Sequence, residues 1–415
     1  VRYYRVVITD PTTNEILVPN YNGIPGFTRV GNDTNISSYT SLNYGQTVTA
    51  FGSTNMSAQM VEVDIPVGFL HQPGQNAYIK IHGVGIAEIG QAADLQGMNI
   101  AVYGGMAAGL PLANPLESGL LVNAMVLQSF GIWLGHEQSL NMFMTFQGSS
   151  PTSNQTSGNP SSTSTVPVPT TNENPANIVF QWRPGQPLLT PVVNTLQVAY
   201  PKYSIAGAVH SGLVWSGATA TGYFNTLEQF SAYLYQKSLS IISGYAPINP
   251  LPQNYPSNYP GVRLALQNNT ITIQDGTTQT TPKQIQFIDL VGQPTWSQRY
   301  QVQVTCVMRA DINCGDYVRL PPSPGITTLG SNSEYFNPSG GNIYATAKDS
   351  SIFSGVFEVI AVRHVGNNRD PNAQSWVTTL DLLNMSYGQP EVVDTLPVLY
   401  NGPTGGSAYS FYLPS

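Results

Sequence analysis

Five histidines, two cysteines and a handful of carboxylates are the residues of this chain whose types could do chemistry. His71, His82, His136, His210 and His364 lie far apart, with no HExxH and no pair at ligand spacing. Cys306 and Cys314 belong to no CxxC, and a zinc centre would need further ligands. They lie near enough in sequence to approach across a hairpin, although a reducing compartment favours free thiols. Glu62 and Asp64 fall on one face of a strand, about 7 Å apart by strand rise, within the about 6.5–9.5 Å of inverting glycosidase carboxylates. Charged outward positions of a half-buried strand explain them as well. His364 follows Arg363 in a strand, with Asp370 and Asp381 downstream. An interface position or a hydrogen-bonded core histidine accounts for it better than catalysis, and carboxylates near a turn are mostly solvated. Gly83-Val84-Gly85 has the start of a dinucleotide loop. Its third glycine is misplaced and no helix with an acidic ribose partner follows, so a turn or bulge is the better reading. GxSxG and GxxxxGK[ST] are missing, and Asp10 to Glu15 holds too few carboxylates for a calcium loop. The expectation is a non-enzymatic chain with no catalytic residue, no metal ligand, no cofactor-binding residue and no cofactor.

The elements that would position these side chains read as strands. Charged residues make up 9% of the 415 residues, against about a quarter in ordinary soluble proteins. Glycine, proline, asparagine, glutamine, serine and threonine fill the gap. That composition excludes coiled coils and most helical bundles and fits strands, turns and long loops. It also fits a surface buried against other copies, since a free monomer keeps more charge for solubility. A secreted β-rich monomer is the alternative. The net charge is −7, and the 15 lysines and arginines are scattered, which is no nucleic-acid footprint. Val1 to Arg5 starts with a strand pattern and lacks the features of a signal peptide. No apolar run approaches the length of a membrane span, so no stable membrane insertion is expected.

In order, Arg2–Ile8, Met60–Val67, Ala77–Ile81, Asn99–Met106, Gly119–Leu127 and Leu140–Phe146 read as strands joined by glycine turns. Pro66 marks an edge or an end. Ser149 to Pro175 is so rich in Ser, Thr and Pro that it reads as a linker or surface loop. Thr190-Pro191 opens a helix with Thr190 as N-cap, and Asn225-Thr226-Leu227-Glu228 resembles a capping box opening a second. Ile285 to Val291 reads as an apolar strand run. Tyr300–Val304 and Tyr317–Leu320 read as a hairpin about the Asn313-Cys314-Gly315-Asp316 turn. Phe357–Arg363 and Trp376–Leu382 read as the last strands, and Tyr387 to Ser415 reads as an extended tail.

Two of these stretches carry a resemblance. IQFIDLVGQPTWSQRYQVQVTCVMRADINCGDYVRLPP, residues 285–322, and FSGVFEVIAVRHVGNNRDPNAQSWVTTLDLL, residues 353–383, look like the second tube-type domain of baseplate hub proteins from contractile-tailed bacteriophages. The order Asp-Leu-x-Gly, Val-Tyr-Gly-Gly-Met, long strand, Ile-Trp-x-Gly and strand, from Asp94 to Phe146, is similar to the first such domain. The resemblance covers scattered blocks over about two thirds of the chain. It implies a mainly β fold of two tail-tube-like β-barrel or sandwich domains plus a small α+β domain. Residues 1–148 would form the first tube-type domain, 149–177 a linker or loop, and 178–260 the α+β domain. Residues 261–395 would form the second tube-type domain and 396–415 a tail. It also implies a homotrimeric hub in the virion baseplate, assembled in the host cytoplasm. Two tube-type domains per chain would make a pseudo-six-fold ring joining the tail tube protein to the central spike protein. Baseplate wedge or ring proteins would contact it, and DNA would be only passing cargo. A host-binding or glycan-cleaving β-rich tail or secreted protein is the competing reading. No fixed-period repeat supports it.

Overall fold

The structure is a computed structural model. It describes residues 1–11, 16–19, 27–30, 39–43, 46–72, 76–109, 114–146, 178–201, 203–241, 259–267, 270–298, 301–321, 356–372, 375–384 and 391–402. The linker expected at Ser149–Pro175 and the tail beyond residue 402 lie outside the described residues.

The first strands are β1 (Arg2–Thr9), β2 (Ile16–Pro19), β3 (Phe27–Val30), β4 (Tyr39–Thr40), β5 (Val61–Gly68) and β6 (Ala77–His82). Helix α1 (Ile86–Gly90) and a 3-10 turn at Ala92–Leu95 lead to β7 (Asn99–Met106). A second 3-10 turn at Pro115–Glu117 precedes β8 (Gly119–Leu134) and β9 (Glu137–Phe146). Then come β10 (Ile178–Trp182), α2 (Leu189–Ala199), β11 (Ser204–Ala208), β12 (Ala220–Phe224) and α3 (Leu227–Ile241). They are followed by β13 (Arg263–Gln267), β14 (Thr270–Gln274), β15 (Thr278–Thr280), β16 (Lys283–Gln284) and a third 3-10 turn at Phe287–Asp289. The last strands are β17 (Thr295–Gln298), β18 (Gln301–Val307), β19 (Tyr317–Arg319), β20 (Val356–Asn367), β21 (Trp376–Asn384), β22 (Glu391–Val393) and β23 (Val398–Asn401).

The chain is mainly β. Among the described residues one sheet of 15 strands dominates, in the order β17-β18-β21-β20-β5-β6-β9-β8-β7-β1-β2-β3, with β4, β16 and β19 beside that path. The alternation of β5 shows why it forms: Val61, Val63, Ile65 and Val67 are buried, and Glu62, Asp64 and Pro66 face outward. That is a two-residue period with one apolar face. Pro66 lacks an N–H to donate, and the β5–β6 ladder has ended by then at Asp64↔Tyr78. The two halves of the chain join where β20 pairs antiparallel with β5, from Ala361↔Gly68 to Asn367↔Glu62. Tyr4, Ile65, Ile79, Met142, Val304, Phe357 and Leu380 all belong to one shared apolar core.

The sheet curls until β1 and β7 meet the β20–β21 turn. Arg2 donates to the carbonyls of Asn367, Asp370 and Asn372. Trp376 Nε1 donates to Gly105 O at 2.9 Å. Gly105 has a φ of +141°, and a Cβ there would lie 2.4 Å from Ser118 Cβ. Only glycine permits that approach.

A second core builds the α+β unit. Phe180, Trp182, Val192, Leu196, Phe230 and Leu234 pack α2 and α3 against β10, β11, β13 and β14. α2 starts one residue before the expected cap, with Leu188 as N-cap and Thr190 inside the first turn. In α3, Thr226 Oγ1 accepts from Gln229 N at 3.2 Å and Gln229 Oε1 accepts from Asn225 N at 3.1 Å.

Three expectations need correction. β18 and β19 do not form a hairpin: β18 pairs with β17 and β21, while β19 pairs with β16 and β20. The turn between them is real, with Gly315 at φ +90°, but it carries the chain from one part of the sheet to another. Ile285 to Val291 is not a strand, because Phe287–Asp289 is a 3-10 turn. Its apolar residues are split, Ile285 buried in the core and Phe287 and Ile288 exposed. The sequence boundaries at 261 and 396 also cut across pairing, since β13, β14 and β23 all share a four-stranded sheet with β11. Backbone partners, which local pattern does not reveal, decided all three.

Candidate functional site: the outer face of the shared sheet

The residues singled out in the sequence lie mostly on the outer face of the β18-β21-β20-β5-β6-β9-β8 run. Alternation puts Gln303, Asp381, Arg363, Asp64, Glu62, Tyr78 and Lys80 there, opposite the core-facing Val304, Leu380, Val362, Ile65 and Ile79. The register sets Asn367, Glu62, Lys80 and Asn141 side by side across four strands. Cross-strand pairs then form. Arg363 grips both oxygens of Asp64, Nε at 2.8 Å and a terminal nitrogen at 2.6 Å. Glu62 Oε1 accepts from Asn367 Nδ2 at 3.1 Å and lies 3.2 Å from His82 Nε2. Lys80 Nζ meets Glu137 at 2.6 Å, and Tyr78 donates to Asn141 at 2.7 Å. The Glu137 hydrogen bond holds the Lys80 ammonium above its ordinary pKa, and the same bond holds the Glu137 carboxyl below its own. The Asp64 hydrogen bond likewise raises Arg363. Four carboxylates (Glu62, Asp64, Glu137 and Asp381) stand against two cations (Lys80 and Arg363), so the face is polar and mildly acidic. Such exposed pairs, screened by solvent, contribute little to stability.

Glu62 and Asp64 do share a face, as a glycosidase pair would. Each is instead engaged with a neighbouring strand, in an unbroken ladder.

The histidines are dispersed. His71 stacks on Tyr235 at 4.4 Å. His136 sits in the exposed β8–β9 turn, and His210 Nδ1 accepts from Gly212 N at 3.0 Å. His364 points into the core, 1% exposed, with Nδ1 2.9 Å from Thr378 Oγ1. Among the described residues no group of three His, Cys, Asp or Glu side chains is arranged to hold a metal ion. Cys306 and Cys314 are separate buried thiols, donating to the carbonyls of Thr378 and Ile360. Burial pushes the Cys306 thiol up to about 12. Gly83 makes a turn at φ +74°, and Gly85 caps the five-residue α1, its N–H held by the Glu88 carboxylate.

Burial pulls His364 down to about 4, and burial with the Arg263 charge does the same to His71. The unfolded chain therefore binds protons that the fold refuses once pH falls below about 6.5. Stability is expected to be full above that pH and to fall by roughly 3 kcal/mol for His364 alone as pH drops to about 4. Urea midpoints against pH check this. The His364→Gln variant should show a shallower slope over that window, and an unchanged slope contradicts the assignment.

Two buried ionic nodes escaped sequence reading. Arg309, inside the quoted MRAD, binds Asp311 through two bonds of 2.7 Å and lies 3.2 Å from Glu117 and 3.6 Å from Asp289. Arg263 of β13 meets Glu358 of β20 at 2.6 Å, and its guanidinium lies 4.5 Å above the Phe69 ring. An arginine in an apolar strand was the available signal, since a buried guanidinium demands a carboxylate partner.

No protein-family model matches the sequence, and no curated protein matches it. Among solved structures, the chain is similar to a tail protein from Neisseria meningitidis MC58 at 9% identity and a TM-score of 0.38, over 92% of this chain and 97% of that one. It is similar to the 43 kDa tail protein of prophage MuSo2 from Shewanella oneidensis at 7% identity and a TM-score of 0.40, over 80% and 98% of the two chains. A chain of the Francisella PdpA-VgrG complex aligns at 8% identity and a TM-score of 0.40, over 94% of this chain and 59% of that one. At such identities the role of this chain has to be read from its own residues.

Proposed function

We propose that the chain is a structural, non-enzymatic component of a virion tail: a homotrimeric baseplate hub whose pseudo-six-fold ring joins the tail tube to the central spike. The observation that carries this reading is the β5–β20 ladder, which sets the strands of the first half edge to edge with those of the second. If each half is a tube-type unit, three copies present six, which suits seating on a six-fold tube. The sheet's outer face, with carboxylates in excess and its lysine and arginine already paired, suits the wall of a channel. Phosphate binding rests on free Lys and Arg, so DNA would slide past as cargo. Tail tube protein, spike protein and baseplate wedge or ring proteins are the partners, and the baseplate after cytoplasmic assembly is the location. The resemblance of residues 285–322 and 353–383 to hub proteins supports the same reading. The sparse charge supports burial against copies, because charged residues are depleted at interface cores.

Native mass measurement of the purified chain tests this. A trimer is expected at micromolar concentration. A stable monomer that never enters a ring would sink the proposal. So would release of reducing sugar from bacterial envelopes that is lost in Glu62→Gln or Asp64→Asn.

A further inference from the structure

The last two strands form a strap that runs from one core to the other. After β21 of the dominant sheet, β22 lies parallel to β15, with Thr278↔Glu391, Gln279↔Val392 and Thr280↔Val393 opposite one another. Val393 O then accepts from Thr281 N at 3.0 Å, and Asp394 Oδ1 accepts from Thr281 Oγ1 at 3.3 Å. Pro397 O accepts from Gly207 N at 3.0 Å, and β23 closes against β11 of the α+β unit. β15 itself links β14 of that unit to β16 of the dominant sheet. Residues 391–402 thus add a second chain alongside an existing connection.

The strap is lightly held. β22 has three register pairs. β23 also has three, and its register shifts between Ile205 and Ala206 of β11. Of the four β23 side chains only Tyr400 is buried: Val398 is 60% exposed, Leu399 is half-buried and Asn401 is exposed. Tyr400 enters the core shared by α2 and α3, and its hydroxyl donates to Pro201 O at 2.9 Å. The other side of β11 is different. There β14 makes five parallel pairs without a shift, and Ile271 and Ile273 are fully buried. Elements with few buried apolar contacts open locally at lower free energy than the core they rest on. By that measure the strap and β14 lie at opposite ends of the scale, although both pair with the same strand.

We propose that residues 391–402 are a releasable clasp. They lift off β15 and β11 together, with Tyr400 as the latch, while both cores stay folded. Closed, the clasp completes the four-stranded sheet and adds a main-chain tie between the units beside the Arg263–Glu358 pair. Open, it removes that tie and makes β11 an edge strand. This device does not depend on the oligomeric state proposed above.

Hydrogen exchange of the full chain, read at single amides, tests it. Gly207 N and Thr281 N both donate to strap carbonyls, one from each end of its path. In the unaltered chain both are expected to exchange at least about a hundredfold faster than the slowest amides of β13 and β14, through local opening. Tyr400→Ser should speed both by the same factor, about a hundredfold or more, as truncating a buried aromatic does. A disulfide in Ala206→Cys/Val398→Cys, at directly opposite positions of the antiparallel pair, should slow Thr281 as well as Gly207. Cys306 and Cys314 are buried and do not compete for it. Exchange of Gly207 and Thr281 together with the slowest β13 and β14 amides would make the strap part of the core and overturn the proposal. A disulfide that slows Gly207 but leaves Thr281 fast would show two separate contacts and no clasp, and would overturn it too. The unaltered chain decides the question even where a variant fails to fold.

Discussion

Arg309→Met is expected to destabilise the fold by roughly 3–5 kcal/mol, the cost of removing one side of a buried ionic cluster. The Arg309 side chain is 3% exposed. Burial alone would lower its pKa, but the hydrogen bonds and charge of Asp311, with Glu117, hold it raised. Burial, in contrast, pushes the Glu117 carboxyl up despite that same guanidinium, with Asp289 and Asp311 adding to the rise. The two directions agree physically: three carboxylates share one cation, and Glu117 lies 3.2 Å from it where Asp311 takes two bonds of 2.7 Å. Without the arginine, Glu117, Asp289 and Asp311 repel one another, which pushes the already raised Glu117 carboxyl up further. The loss should therefore be largest well above the carboxylate range and shrink as pH falls and Glu117 protonates. The damage should be local first. Ala310 N donates to Glu117 O at 2.7 Å, and Met308 N to Trp376 O at 3.1 Å, so this node fastens the β7–β8 connection to β18 and β21. Denaturant midpoints of the variant at pH 8 and pH 5 check the claim. A loss below about 1 kcal/mol at pH 8, the range of an exposed pair, contradicts it.

Glu358→Gln should cost a similar roughly 3–5 kcal/mol, because it leaves the Arg263 charge buried without its counter-ion. Glu358 is 1% exposed and Arg263 7% along their side chains. The pair spans the boundary between the dominant sheet, through β20, and the four-stranded sheet, through β13. Replacing both partners removes the stranded charge along with the bond. Arg263→Met/Glu358→Leu is therefore expected to be much more stable than either single variant, and a double-mutant cycle measures the coupling. If the double variant is as unstable as the sum of the singles, the pair is not the electrostatic lock described here. Because the lock ties the α+β unit to the sheet, the single variant should also lose hydrogen-exchange protection first in β13 and β14.

What the sequence made legible follows from range. β20 and β21 were readable from VRH and SWVTT because each alternates on its own, and the structure pairs His364 with Thr378. Glu62 and Asp64 were correctly placed on one face because a strand fixes that by its two-residue period. The β5–β20 ladder was not readable. It joins positions as far apart as Asp64 and Arg363, 299 residues apart, and any exposed alternating strand offers the same edge. The failed β18–β19 hairpin has the same cause: a glycine turn specifies a reversal but not which strand receives it. The ionic nodes were hidden because most of their partners are distant in sequence: Glu117 and Asp289 for Arg309, two residues past β18, and Glu358 for Arg263 of β13. The exposed tip of the β8–β9 hairpin was half visible. Ile132-Trp133-Leu134-Gly135 stood out only as part of the resemblance, and it takes the ends of the β7 and β6 pairings, among the described residues, to show that Trp133 projects.

End-on averages of the assembled chain by electron microscopy test the central claim most directly. The account predicts three copies arranged as six lobes around an open channel, with the two lobes of each chain continuous across the β5–β20 junction. Single particles without a ring, or a closed assembly lacking a central channel, would contradict it.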